Sequence, residues 1–174
     1  QNYGADSVRL FILSDSPPEK DVQWSDDGII SCYKFIQKFW MLHLKILEKT
    51  KLIKNYENNI ELDKFINSFI KKMTINLENF QYNIVVANIH EMYSFISKNL
   101  DKFFNNSSFL DLYKKLLISM LPVIPHIVNE ALKTLNTKEP FIFPDYNEEI
   151  LKEKNVNYVI QINGKKRGLI NHEI

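Results

Sequence analysis

The chain has 174 residues, of which 45% are hydrophobic and 13% aromatic; this excludes an intrinsically disordered chain and suits one medium domain, or one domain with a small appendage. The formal net charge of +1 excludes the strongly basic balance of a self-sufficient nucleic-acid binder, so any RNA surface has to come from local clustering of lysine. The single cysteine, Cys32, excludes an internal disulfide and a multi-cysteine zinc site and fits a reducing compartment.

No apolar run reaches the roughly 20 residues of a membrane span. The start, Gln1-Asn2-Tyr3-Gly4, carries no initiator Met, no basic segment and no signal-like apolar run, so the chain reads as a piece of something longer. With only 4 Gly and 6 Pro, long helices are favoured over a many-turned β fold. Gly4 to about Ser14 predicts a brief helix, with Asp6 near its positive end. Asp15 to Trp24, with Pro17-Pro18, predicts a linker or structured loop.

Ser25-Asp26-Asp27 is a helix start, a capping hydroxyl followed by acidic first-turn residues. The helix extends to about Lys49 and is expected to bury Ile29, Tyr33, Ile36, Trp40, Leu44 and Leu47. Lys34, Lys38, Lys45 and Lys49 fall within a sector of roughly 60° and form one basic stripe along it. Lys51 to Asn59 is a polar connection. A second long helix is predicted from about Asp63 to Glu78, with Leu62, Phe65, Phe69, Met73, Leu77 and Phe80 in register. A third spans about Tyr82 to Phe103, with Val85, Ile89, Met92, Ile96, Leu100 and Phe103 in register.

Ser107 or Ser108 caps a fourth helix, with Asp111 placed as in a capping box. It continues to about Leu135 through Phe109, Tyr113, Leu116, Met120, Ile124, Ile127, Ala131 and Leu135. Pro122 and Pro125 predict a kink or a break within it. Four amphipathic helices with short links predict an all-α, antiparallel helical bundle. The stretch from Pro140 to Tyr146 is an aromatic connector. Asn155 to Ile162 alternates like a strand, Asn163-Gly164 is a hairpin turn, and Gly168 to Ile170 returns. A short β-hairpin segment is therefore expected to follow the bundle as the start of a second small domain. The organisation reads as a connector at 1–24, the bundle at 25–137, a linker at 138–154 and the hairpin at 155–174.

Self-contained catalysis is not predicted. His43, His90, His126 and His172 have no partners at metal-ligand spacing. Cys32 reads as a packed thiol, the glycines form no phosphate-binding loop, and no nucleophile elbow is present. The lysine stripe serves either as a solvated helix face or as a contact to RNA phosphates, which it would neutralise with release of counterions. The Lys165-Lys166-Arg167 cluster beside the turn has the same two readings, with Arg167 able to grip a phosphate bidentately.

Six separated segments, in order, resemble leucyl-tRNA synthetases. Tyr3-Gly4-Ala5-Asp6-Ser7-Val8-Arg9-Leu10-Phe11 resembles YGADxxRLF. Pro17-Pro18-Glu19-Lys20-Asp21-Val22-Gln23-Trp24-Ser25-Asp26-Asp27-Gly28 is similar to PPEKDLEWSDEG. Tyr33 to Trp40 resembles RFLxRVW, and Tyr82 to Ala87 resembles FNTAIA. Leu121-Pro122 with Pro125-His126-Ile127 resembles LxPxxPHI, and Gln161 to Gly168 resembles QVNGKxRG. The GAD and PHI segments alone would fit the isoleucine, valine or methionine enzymes, whereas the PPEKD block and the NGKxRG hairpin point to leucine.

The resemblance implies a class I ligase that activates leucine with ATP and magnesium and transfers it to leucine-accepting tRNA. Its catalytic fold, with the HIGH and KMSKS motifs, lies outside this chain. The part present here is implied to be the connecting stem, the anticodon-binding-type bundle and the start of the carboxy-terminal domain. This part is inactive by itself and without cofactors of its own. The resemblance further implies a cytoplasmic, monomeric parent enzyme with no DNA or membrane partner. Taking the stripe, the hairpin cluster and the resemblance together, the residues expected to face tRNA are Lys34, Lys38, Lys45, Lys49, Asn83, Lys165, Lys166 and Arg167. The family's two helix arginines fall on Lys34 and Lys38, which keeps charge but loses the guanidinium fork. Its Thr after Asn83 is Ile84 here. The alternatives are the bundle of a sibling synthetase or a free-standing helical interaction module.

Overall fold

The computed structural model describes residues 3–15, 20–50, 59–104, 108–152, 155–162 and 165–173. The Pro17-Pro18 loop, the 51–58 connection and the Asn163-Gly164 turn lie outside the described residues. The elements are α1 (Ala5–Asp15), α2 (Asp26–Thr50), α3 (Ile60–Glu78), α4 (Tyr82–Phe103), α5 (Phe109–Met120), α6 (Pro125–Thr134), α7 (Glu148–Leu151), β1 (Asn155–Ile162) and β2 (Lys165–Glu173). The chain is an all-α bundle followed by an antiparallel hairpin.

The helix starts follow from their caps. Gly28 N–H donates to Ser25 Oγ (3.1 Å) at the head of α2, and Leu62 N–H donates to Asn59 Oδ1 (3.2 Å) at the head of α3. Each side chain satisfies an amide that the first helical turn leaves without a backbone partner. The helix α3 ends in a left-handed residue, Phe80 (φ 55°). There Gln81 N–H reaches Asn76 O (2.8 Å) and Phe80 N–H reaches Leu77 O (3.2 Å), a Schellman closure. Asn136 (φ 54°) closes α6 in the same way, through Thr137 N–H to Leu132 O (3.0 Å).

One core joins α1 to α6, including Leu10, Phe39, Ile46, Met73, Ile89, Leu100, Leu116 and Leu132. The six positions expected to bury on α4 are all buried. On α2 the buried residues are Ile29, Phe35, Phe39, Leu42, His43 and Ile46, and of the six expected only Ile29 is among them. The buried arc is turned by roughly 100° from the expected one, because α2 packs against α1, α4 and α6 together. Leu44 is left 41% exposed. Phe80, just past the end of α3, is exposed, and Ile66 and Ile70 on the helix are buried. The helix α1 crosses α2 closely: a Cβ at Gly28 would lie 2.6 Å from Phe11 Cε2, so hydrogen is the only substituent that fits there.

The prolines produce a break, with α5 ending at Met120 and α6 beginning at Pro125. Pro125 occupies the first helical position, where a missing N–H costs nothing. The next two amides of α6 are capped from a distance. Asp6 Oδ1 accepts from His126 N–H (3.3 Å) and from His126 Nδ1 (2.8 Å), and Asp6 Oδ2 accepts from Ile127 N–H (2.7 Å). Arg9 Nε donates to Val123 O (2.9 Å) and Arg9 Nη2 to Pro122 O (2.7 Å). Asp6 therefore serves the N-terminus of α6 and not that of its own helix. Two segments far apart in sequence close one corner of the fold.

Past α6, Asn147 N–H donates to Asn67 Oδ1 (2.6 Å), and Lys71 pairs with Glu148 (3.4 Å) and lies over the Tyr146 ring (5.6 Å). These contacts seat the connector and α7 on α3. The short helix α7 was not expected; its sequence signal is Asn147 capping Glu149 N–H (2.9 Å) ahead of two glutamates.

Candidate nucleic-acid interface

The four stripe lysines do not share one fate. Lys49, nearest the C-terminus of α2, is half-buried. Its Nζ lies 2.6 Å from Asp101 Oδ1 and 4.8 Å from the Phe104 ring centroid. The Lys49 hydrogen bond and charge, with Lys45 nearby, hold the Asp101 carboxyl below its ordinary value. Lys34, Lys38 and Lys45 are exposed and, among the described residues, no carboxylate lies within ion-pair distance of them. They differ in this from Lys71, Lys72, Lys102, Lys114 and Lys133, which pair with Glu148, Glu91, Glu61, Asp111 and Glu130.

Because the buried arc of α2 is turned away from the expected face, the stripe sits on the shoulder of the helix, beside α4. The helices α2 and α4 run parallel there, with Phe35 against His90 (4.0 Å) and Tyr93 (5.5 Å) at one level and Lys49 against Asp101 further on. Between them lies an open groove of about 750 Å³, lined by Lys34, Lys38, Lys45, Met41, Leu44 and Tyr93 among others. Lys34, Lys38 and Lys45 span about 16 Å along α2 at 1.5 Å per residue. Met41 is 64% exposed at the edge of the stripe. The groove was missed in the sequence, although Met41 and Leu44 standing among the lysines were the signal for it.

Asn83 is half-buried in the first turn of α4. The position that precedes this turn is Gln81. Ile84 beside it is 41% exposed. Asn83 lies apart from the groove lining.

The basic cluster of the hairpin starts β2. Lys165 stands opposite Ile162, Lys166 opposite Gln161 and Gly168 opposite Ile160, so the register shifts and Arg167 is the extra, bulged residue. A bulge bends the strand and re-aims its side chains. Arg167 is exposed. The side chains of Lys165 and Lys166 lie outside the described residues.

The histidines divide by environment. His43 is fully buried, with Nε2 2.7 Å from Thr134 Oγ1 and Nδ1 3.0 Å from Tyr113 Oη. The Thr134 hydroxyl donates to Ala131 O and so accepts from His43 Nε2–H, leaving Nδ1 to accept from Tyr113. Burial pushes the His43 pKa down to about 4 and the Tyr113 phenol upward. Burial also lowers His90 and raises the Cys32 thiol, which leaves Cys32 a poor nucleophile. Among the described residues no group of three His, Cys, Asp or Glu could hold a metal ion, and no helix is long and apolar enough to cross a membrane.

Residues 59–173 match the family model described as the anticodon-binding domain of tRNA ligase. Over 100% of its length the chain is 37% identical to a leucine–tRNA ligase of Prochlorococcus marinus subsp. pastoris, covering 21% of that protein. It is 34% identical over 99% of its length to the leucine–tRNA ligase of Wolbachia pipientis subsp. Culex pipiens, covering 22%. The chain thus spans about a fifth of the length of these relatives. A crystal structure described as the ternary complex of Agrobacterium radiobacter K84 agnB2 LeuRS with tRNA and LeuAMS superposes at a TM-score of 0.81, with 21% identity, over 100% of this chain and 23% of that one. The match of the family model over residues 59–173 places this chain in the family of anticodon-binding domains of tRNA ligases.

Proposed function

We propose that this chain is the tRNA-docking part of a leucine–tRNA ligase, with the α2–α4 groove as its principal contact. The observation that carries this is the contrast among the lysines. Those on α3 to α6 named above are paired. Lys64, Lys98 and Lys115 are also exposed without an ion pair among the described residues but are scattered over three helices, whereas Lys34, Lys38 and Lys45 stand together, unpaired, on one face of α2 beside one groove. Ammonium groups arranged in this way neutralise phosphates and orient a backbone without reading sequence. Asn83 and the Lys165-Lys166-Arg167 segment are secondary contacts in this reading, and Lys49 keeps Asp101 as its partner. Leucine activation with ATP and magnesium belongs to the catalytic part of the longer ligase, which works as a cytoplasmic monomer; the docking part chooses neither leucine nor ATP.

The test is the double variant Lys34→Glu with Lys38→Glu in the complete ligase. Reversing two phosphate contacts is expected to weaken tRNA binding at least tenfold at low salt. It should also flatten the dependence of log affinity on log salt by roughly 1 to 2. Leucine- and ATP-dependent pyrophosphate exchange should stay near the parent level. Unchanged tRNA affinity at low salt would remove the groove from the interface.

A further inference from the structure

We infer that the α2–α4 groove receives one unpaired nucleotide, with its base inside the groove and the flanking phosphates on Lys34, Lys38 and Lys45. This deepens the docking role proposed above and rests on it. A surface that met only phosphates would have no use for apolar floor. Yet Met41, at the edge of the stripe, is 64% exposed and Leu44, further round α2, is 41% exposed, and both line the same groove as the lysines. The half-buried Tyr93, fixed edge-on against Phe35 (5.5 Å), forms the opposite wall. A duplex offers its phosphates outward and keeps its bases stacked, so it leaves Met41 and Leu44 wet. An extruded base covers them, and RNA-binding proteins take their specific contacts from such unstacked bases.

The groove volume of about 750 Å³ falls inside the roughly 300–1,000 Å³ range of small-molecule sites, ample for a nucleoside. A thioether is polarizable and makes favourable contact with a ring. On the α2 side the lining also includes Glu48 and Gln37. A carboxylate accepts from an exocyclic amine and repels a carbonyl edge, so the chemistry favours an amino-bearing base over uracil.

The experiment uses the complete ligase and three fluorescein-labelled RNA hairpins, read by anisotropy at several salt concentrations. One hairpin carries a single bulged adenosine, one a bulged uridine, and one is fully paired. The bulged adenosine is expected to bind at least about fivefold more tightly than the paired hairpin, the scale of one base–side-chain stack. The substitution Met41→Gln, at an exposed helix position where circular dichroism should show an unchanged fold, is expected to abolish that preference. It should leave the salt slope intact, since no charge is lost. Glu48→Gln is expected to narrow the margin of adenosine over uridine. Equal binding of paired and bulged hairpins, or a bulge preference that survives Met41→Gln, overturns the inference while leaving phosphate docking in place. Binding to none of the RNAs overturns the docking role and the inference together.

Discussion

At the scale of single residues, burial decides which charges are available and which are not. His43 is held neutral between Thr134 and Tyr113, with its pKa near 4 against an ordinary 6.5. A base whose folded pKa is depressed takes up its proton in the unfolded chain first. Its contribution to stability is therefore complete above pH 6.5 and is lost as the pH falls toward 4. The expected loss is roughly 3 kcal/mol across that window. Urea midpoints measured at pH 7, 5.5 and 4.5 should fall in that order, and His43→Gln should flatten most of the trend. His90, lowered in the same direction by burial against Phe35, contributes a residual slope of the same sign. A stability independent of pH across this range would contradict the neutral, buried assignment. His43 stood in the sequence as a plain helix residue; nothing local announced that Tyr113 and Thr134, 70 and 91 positions away, would enclose it.

At the scale of elements, termini matter more than interiors. Phe80 adopts a left-handed conformation at the close of α3 while 62% of it remains exposed. A side chain in that region costs on the order of 1 kcal/mol that glycine does not pay. Phe80→Gly is expected to raise stability by roughly 1 kcal/mol, or about 3 °C in Tm, and a calorimetric scan that shows a fall would refute this. The corner between α5 and α6 behaves oppositely. Asp6→Ala leaves the His126 and Ile127 amides without their acceptor in a part-buried site, with an expected loss of about 2 kcal/mol in chemical denaturation. The helices themselves were legible from apolar spacing and from caps such as Ser25. The face that α2 buries was not, because that helix is apolar around most of its circumference and α1, α4 and α6 compete for it. The stripe lysines could be read in one dimension, but the groove beside them needed the position of α4.

At the scale of the whole molecule, the segments quoted for the family resemblance become physical parts. Asp6 and Arg9 of the first meet Pro122, Val123, His126 and Ile127 of the fifth, and Gly28 of the second lets Phe11 of the first pass. The all-α bundle and its hairpin were therefore readable from the sequence. The pairing of distant segments into one corner was not, because it depends on how the helices pack in three dimensions. That corner also sets an order of events during synthesis. The carboxylate of Asp6 waits for amides 120 and 121 residues later, so a nascent chain in which α1 already packs on α2 and α4 still lacks the contacts that join α1 to α6. Joining segments so far apart is slow compared with winding any single helix, which makes the closing of the α1–α6 corner a late step. A contact formed late restrains unfolding more than it speeds folding, so this corner governs how long the finished domain lasts more than how soon it forms.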